Sequence, residues 1–385
     1  MGYPIITKKI CRAIREVRKV QKEDRKQYKR VRGARIKGKI YKVVKTDKGN
    51  SFITLDNKFQ AGNIEQGNIE QDKINQNRIN QDKTKLKIEE VLAVLQDNNL
   101  EGLSGGGYPT ADKIRTLLES NKKQRILIVN GVECDPGLMH DSWLIENKLN
   151  DIKQGIKILN TYIGFDRIIL ATKGIEKREG KVEFKQVPNR YPMGEEHILI
   201  EFLLGRRLKK EEIPARHGIL TLNVQTVYTL GQIMNKGYKN TERFLTVANL
   251  ATTKATVVRA PYGMNLLTLL EKIYGKQASL EAYCGEGIMN AHLITEQECV
   301  DVHTNFVGYQ EKVTFHNQNP CKNCGACTRK CPAQIPVNVI VKAMEQGKKK
   351  EAQAKLTNTC LKCGCCTYHC HAGKNVMEII ESVNH

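Results

Sequence analysis

The spacing of apolar positions changes character several times along the chain. Between residues 9 and 31, Ile10, Ile14, Val17 and Val20 recur at helical spacing among lysines and arginines, which predicts a charged helix. Residues 36–56 switch to short β-like pieces, Lys39–Val44 and Ser51–Leu55, joined by the hairpin signal Thr46-Asp47-Lys48-Gly49-Asn50. From about 60 to 85 the pattern dissolves. There Gly-Asn-Ile-Glu-Gln repeats and decays into Asn, Gln and Lys, a composition that cannot bury a core and reads as a flexible insertion or linker.

An α/β pattern begins near residue 86. A helix over Ile88–Asn98 leads into the loop Gly102-Leu103-Ser104-Gly105-Gly106-Gly107-Tyr108-Pro109-Thr110, and a second helix follows. Arg125–Asn130 is an apolar strand, Ile152–Tyr162 an amphipathic helix, and Arg167–Thr172 a second buried-strand pattern. After Gly194 a helix runs through Leu199–Leu204, and the strand Leu220–Val224 enters a helix at Thr226. Strands alternating with helices predict a largely parallel, doubly wound sheet. Residues 244–300 differ: strands Phe244–Val247 and Ala255–Val258, a helix Leu266–Ile273 and a glycine-rich turn predict a small α+β module. The remaining C-terminal residues read as helical segments around cysteines.

At 385 residues the chain is long enough for two or three domains. No apolar run approaches the roughly 18 residues that cross a bilayer, and no N-terminal stretch resembles a signal peptide. The expected location is therefore the cytoplasm, either free or peripheral on the cytoplasmic face of the cell membrane. The net charge of +21 is uneven: residues 1–48 hold 18 Lys/Arg against 4 Asp/Glu. Such a run suits an anionic surface. Membrane or partner protein ranks first, a solvated basic helix second. Nucleic acid ranks last, because the sparse aromatics Tyr3, Tyr28 and Tyr41 form no base-stacking platform.

Thirteen cysteines in a chain of this size are not a disulfide framework, since most of them fall into two regular runs. Cys321, Cys324, Cys327 and Cys331, followed by Pro332, and Cys360, Cys363, Cys366 and Cys370 both read C-x2-C-x2-C-x3-C. That spacing wraps thiolates around a cubane [4Fe–4S] cluster. Zinc is the competing reading, but zinc sites take two separated pairs and not two regular quartets. The runs resemble those of two-cluster ferredoxins, in which the fourth cysteine ligates the other cluster. The resemblance implies that Cys321, Cys324, Cys327 and Cys370 hold one cluster, and Cys360, Cys363, Cys366 and Cys331 the second.

Gly105-Gly106-Gly107 is neither a Walker loop nor the dinucleotide fingerprint, and alone it says only that backbone approaches something closely. Its companions add weight. Val129-Asn130-Gly131-Val132-Glu133-Cys134-Asp135-Pro136-Gly137, Tyr191-Pro192-Met193-Gly194-Glu195-Glu196 and Leu222-Asn223-Val224-Gln225-Thr226 occupy strand-to-helix joints, where open α/β sheets bind ligands.

The order of these motifs resembles the NADH-binding flavoprotein subunit of respiratory complex I, with its GRGGAGFPT-x-x-K, N-x-x-E-x-x-P-G, Y-x-x-G-E-E and N-N-V-E-T. It resembles the C subunit of the Rnf electron-transport complex more closely still, over roughly residues 86–380. Related proteins serve cobalamin and proline reductases. The resemblance implies an α/β fold with a doubly wound flavin- and nucleotide-binding core, then a small β-grasp (SLBB-like) module and an α-helical two-cluster ferredoxin domain. The implied organisation is a basic helix and shortened β module over 1–59, a linker over 60–85, an FMN/NADH domain over 86–240, the β-grasp module over 241–312 and the cluster domain over 313–385.

By the same resemblance, Gly105, Gly106 and Gly107 line FMN, and Lys113 offers charge to its phosphate. Asn130 and Glu133, then Gly194, Glu195 and Glu196, then Asn223 and Thr226 complete the pocket. Gly107 and Tyr108 stand where the family has Ala and Phe, and Leu222 and Gln225 where it has Asn and Glu. Tyr108 can still stack on nicotinamide.

Of the singletons, Cys134 is expected to be packed and not reactive. Cys365 is an alternative ligand, although register favours Cys366. His369 and His371 flank Cys370 as exposed helix residues. Cys11, Cys284 and Cys299 are expected to be structural, and Tyr283-Cys284-Gly285-Glu286-Gly287 a turn without chemistry. The implied function is electron transfer between NADH and a one-electron partner, a ferredoxin or another electron-transport subunit, through FMN and two [4Fe–4S] clusters. A soluble reductase of a cobalamin or amino-acid reductase system and a cluster-only wire are the competing readings.

Overall fold

The computed structural model describes residues 52–54, 88–209, 211–312, 314–356 and 360–383. The basic stretch 1–48, Cys11 and the tract 60–85 lie outside the described residues. In chain order the elements are β1 (Phe52–Thr54), α1 (Ile88–Asp97), α2 (Thr110–Leu118), β2 (Ile126–Asn130), α3 (His140–Asn147), α4 (Leu149–Ile163), β3 (Arg167–Thr172), β4 (Lys177–Glu179), β5 (Val182–Gln186), α5 (Glu196–Leu204), β6 (Ile219–Asn223) and α6 (Val224–Lys236). There follow β7 (Glu242–Asn249), β8 (Lys254–Pro261), α7 (Leu266–Tyr274), β9 (Glu281–Gly285), β10 (His292–Leu293), β11 (Phe306–Gln310), α8 (Ala326–Arg329), α9 (Val337–Glu345), α10 (Lys349–Lys355), α11 (Cys365–Tyr368) and α12 (Val376–Ser382).

The first sheet runs β4-β5-β3-β2-β6, with β5, β3, β2 and β6 parallel and β4 antiparallel at the edge. Alternation along its strands feeds two cores. Leu127, Val129, Ile168, Leu170, Leu220 and Leu222 face the layer formed by α1, α2, α3, α4 and α6. Ile126, Ile128, Ala171 and Ile219 face Leu199 and Ile200 of α5. Burial on both faces is why these strands read as continuous apolar runs. The carboxyl ends of β2, β5 and β6 all open towards one end of the sheet, where their loops gather.

The second sheet runs β1-β8-β7-β11-β9-β10. An antiparallel hairpin β7–β8, one crossing helix, and β11 inserted parallel to β7 and antiparallel to β9 form the β-grasp arrangement. Helix α7 packs Leu266, Leu269 and Leu270 against Leu245, Val247, Val258 and Val307. Of the expected piece 51–55, Phe52–Thr54 extends this sheet by pairing parallel with β8.

The C-terminal part repeats itself at an interval of 39 residues. Gly325 and Gly364 take left-handed φ values of 67° and 70°, each opening a short helix that carries the third cysteine of its run. Thr328 Oγ1 accepts from the backbone N of Asn338 at 3.0 Å, and Thr367 Oγ1 from that of Met377 at 2.8 Å. Ile340, Val341, Met377 and Ile380 close a core beneath both runs. Among the described residues no helix is long and apolar enough to cross a membrane.

Candidate functional site

A cavity of about 350 Å³ opens where the three parts meet. The glycine loop contributes Ser104 and Gly106 to it, α2 Lys113, and the end of β2 Asn130, Cys134 and Asp135. The β5–α5 joint adds Tyr191, Gly194, Glu195 and Glu196, and β6 adds Thr221 and Asn223. Glu286 and Asn290 of the β-grasp module and Leu361, Lys362 and Cys363 of the second cysteine run close it.

The joints are built by side chains that bond their own loops. Asn130 donates from Nδ2 to the Gly194 carbonyl at 2.9 Å and accepts from the Val132 amide at 3.0 Å. This draws the β5–α5 joint onto the end of β2, so closely that a Cβ on Gly194 would lie 2.4 Å from the Val132 carbonyl oxygen. Glu195 caps α5 by accepting from the Ile198 amide at 3.0 Å. Asn223 caps α6 by accepting from the Gln225 amide at 2.8 Å. Lys113 pairs with Glu196 at 2.8 Å on the rim.

Four of the residues expected to line the pocket act differently. Gly105 and Gly107 meet the β-grasp module on their side-chain faces. Their φ values of +105° and +60° belong to glycine, and Cβ atoms there would lie 2.7 Å from Glu286 Cγ and 2.6 Å from His303 Cε1. They let the loop pack against the β-grasp module, where His303 Nδ1 lies 2.5 Å from the Gly105 carbonyl oxygen. Gly106 alone has open space on its side-chain face.

Glu133 also turns away from the cavity. Its buried carboxylate accepts from the Ser142 amide at 2.9 Å and pairs with Lys173 at 2.7 Å. Burial raises its pKa, but Lys173 and Ser142 outweigh that and hold it below the ordinary value. Thr226, fully buried, accepts from the Leu103 amide at 3.0 Å and so steadies the glycine loop from behind. Tyr108 is 53% exposed on the loop.

Sequence reasoning missed Asp135, Asp141, Tyr191, Arg243 and Glu286. Asp135 accepts from the Met289 amide at 2.7 Å and the Gly137 amide at 3.1 Å, joining the α/β domain to the β-grasp module. Burial pushes it up to about 6. Burial likewise pushes Asp141 up to about 8, with Glu133 adding to the shift and Asn223, Lys173 and Arg243 opposing it. A carboxyl whose folded value is raised contributes stability in full below its unfolded pKa of about 3.9, and loses it as pH rises through the folded value. Asp141→Asn keeps an acceptor for Asn223 Nδ2, now 2.9 Å from Asp141 Oδ2. The variant is expected to lose less thermal stability than the parent between about pH 7 and pH 9. Equal losses would show that Asp141 is already ionised at neutral pH.

The two cysteine runs interleave. Cys321, Cys324, Cys327 and Cys370 line one hollow, with His369, exposed His371 and buried Lys374 beside them. Burial raises the Cys327 thiol and Cys321 and Cys370 add to it, whereas Cys331 is raised by burial and then by Cys363 and Cys360. Cys370 thus shares its hollow with the first run. Cys365 occupies the position of Ala326 in the repeat, and Cys366 that of Cys327. Tyr191 donates from its hydroxyl to the Cys363 carbonyl at 2.6 Å, fastening the second run to the cavity wall. Burial, with Asp135 adding, holds the Tyr191 phenol well above its ordinary value, so it remains a donor.

The donor sets fit the groups the sequence implies. Two quartets of thiols suit [4Fe–4S] clusters. Thr221 Oγ1, buried on the cavity wall without a hydrogen-bond partner among the described residues, and open-faced Gly106 suit a flat polar ring.

Comparison with known proteins agrees. Residues 95–232 match the Nuo51 FMN-binding domain, and residues 314–371 a 4Fe-4S dicluster domain. The C subunit of the ion-translocating oxidoreductase complex of Vibrio cholerae is 27% identical over 270 residues, 66% of this chain and 34% of that protein. The cobalamin reductase PduS of Salmonella typhimurium is 24% identical, over 65% of this chain and 59% of that protein. The C subunit of the proton-translocating ferredoxin:NAD(+) oxidoreductase complex of Clostridium ljungdahlii is 23% identical, over 66% and 58%. The chain thus spans between about a third and three fifths of the length of these relatives. In fold it resembles a chain of an NAD+-reducing [NiFe]-hydrogenase in the H2-reduced state, at a TM-score of 0.55 and 17% identity, over 77% of this chain and 61% of that one.

Proposed function

We propose that this chain, which resembles the C subunits of Rnf-type complexes and carries their flavin and dicluster domains, is an oxidoreductase-type electron-transfer subunit. It passes electrons between NADH and a one-electron partner, a ferredoxin or a membrane redox subunit, with FMN in the interdomain cavity and two [4Fe–4S] clusters beside it. One observation supports this above the rest: Cys363 lines the same cavity as Gly106, Lys113, Asn130, Gly194 and Asn223. A flavin site and a cluster site that share a wall are close enough for electron exchange.

FMN bound there would supply the exchange between hydride-pair and single-electron chemistry. The chain's own contribution is placement. Gly106 leaves room for a ring to lie against backbone, Thr221 Oγ1 offers a free hydroxyl, and Lys113 supplies positive charge at the rim. Tyr191 holds the second cysteine loop against the cavity. With Cys331 held to the second cluster and Cys370 to the first, the helices carrying the two runs would be locked together.

A soluble reductase serving a cobalamin is the second reading, favoured by the match to PduS over 59% of that protein. Anaerobic purification with iron, sulfide and flavin quantified separates the readings. The expected result is FMN with two clusters and NADH-dependent dye reduction, with ferredoxin preferred over a cobalamin as acceptor. Preference for the cobalamin would favour the second reading. Intact clusters without flavin would leave only a cluster wire.

A further inference from the structure

Cys284, His292 and Glu298 stand apart from both cysteine runs. One Sγ, one imidazole nitrogen and one carboxylate oxygen lie within 4.8 Å of one another. Cys284 Sγ is 3.4 Å from His292 Nε2, which is 2.5 Å from Glu298 Oε1. Three separate pieces of backbone bring them together. Cys284 and His292 are directly opposed in the antiparallel β9–β10 ladder, so their side chains leave the same face. Glu298 arrives from the following loop. There its carbonyl accepts from the Leu266 amide at 3.0 Å, and its Oε2 accepts from the Thr295 amide at 2.6 Å. The orientation of each group is therefore set before any ligand arrives.

We propose that these three residues form a zinc site, with a fourth position open to the adjoining cavity of about 630 Å³ that Cys284, His292, Glu298 and Asp301 help to line. A thiolate, an imidazole and a carboxylate are the donors that zinc takes, and this mixture disfavours magnesium and calcium, which want oxygen alone. Around a tetrahedral ion with these bond lengths the donor atoms stand roughly 3.5 Å apart. The sulfur–nitrogen separation already matches. Glu298 Oε1 must swing outwards by somewhat less than an ångström on a side chain that is 30% exposed. Binding replaces a proton: the Cys284 thiol releases one, and the neutral imidazole of His292 carries its proton on Nδ1 so that Nε2 can coordinate. The ion would clamp the β9–β10 hairpin to the loop at Glu298, on the side of the β-grasp module that faces Cys360 and Lys362.

The test uses anaerobically purified protein with both clusters intact, equilibrated with micromolar zinc, desalted and assayed for zinc and iron together. The parent is expected to hold about one zinc per chain, and the zinc absorption edge to report one sulfur at about 2.3 Å with nitrogen and oxygen at about 2.0 Å. Cys284→Ser and His292→Ala should each lose the zinc while iron is unchanged, whereas Cys299→Ser, a neighbouring thiol outside the set, should keep it. His292 is 43% exposed, so its removal does not threaten folding. Absence of zinc from the parent, its retention by His292→Ala, or a shell of four sulfurs, which would place it in a cysteine run, overturns the proposal.

Discussion

Replacing Cys370 by Ala is expected to destroy the cluster bound by the first cysteine run, although Cys370 lies in the second. Cys321, Cys324, Cys327 and Cys370 line one hollow, and Cys331 is influenced by Cys363 and Cys360. The pseudo-repeat explains why. Helices α8 and α11 each begin at a left-handed glycine and carry a buried third cysteine, and Cys370, just past α11, reaches the hollow of the first run. Iron should fall from about eight to about four atoms per chain, or by a single atom if a three-iron remnant persists. Double variants identify the damaged cluster, because changes within one cooperative unit do not add. Cys370→Ala with Cys324→Ala should cost no more iron than either change alone. Cys370→Ala with Cys363→Ala should abolish both clusters. The opposite pattern would show that each run ligates its own cluster.

The cysteine spacing is legible because each run is one local motif within the region that matches a 4Fe-4S dicluster domain, and the proposed crossing rests on the likeness to two-cluster ferredoxins. The strands β2, β3 and β6 and the amphipathic helices at Leu149–Ile163 and Leu266–Tyr274 are legible for a similar reason, since their burial patterns are local. Helix α3 is not. Its sequence buries His140 and Asp141 together with Trp143, and His140 Nδ1 and Asp141 Oδ2 find their partners in Thr246 and Asn223, which lie far away in the chain. The glycine loop is visible in the sequence, but the work of its members is not. Gly105 and Gly107 are glycines because Glu286 and His303 press on them, and nothing local reveals that contact. Glu133 keeps its motif but faces Lys173, just past the carboxyl end of the neighbouring strand β3. Cys284, His292 and Glu298 show no regular spacing. The β9–β10 register opposes Cys284 and His292 and the following loop brings in Glu298, so in sequence Cys284 reads as structural and its turn as inert.

Arg243 supports the largest expected loss outside the clusters. Its guanidinium is 1% exposed and donates to backbone carbonyls of three residues, Asp301 at 2.9 Å, Val302 at 2.5 Å and Leu103 at 3.0 Å, as well as to Asn305 Oδ1. Leu103 leads into the glycine loop, while Asp301, Val302 and Asn305 belong to the β-grasp module. One side chain therefore fixes the loop that borders the cavity to the sheet that supports it. The guanidinium is itself costly to bury: burial pulls its pKa below the ordinary value, against the pull of Tyr262, Asp301 and Asp141. Arg243→Met removes that cost but strands the carbonyls, at about 1–3 kcal/mol for each buried acceptor left unpaired. The net loss should be about 3 kcal/mol, enough to lower the thermal midpoint by about 5 °C or more. Arg243→Lys should recover only part of it, because an ammonium cannot span four acceptors as a planar fork does. Flavin content should fall with stability in Arg243→Met while iron stays constant, since this arginine's acceptors belong to the glycine loop and the β-grasp module and not to the cysteine runs. A midpoint within about 1 °C of the parent, or a parallel loss of iron and flavin, would show that the loop is held in some other way.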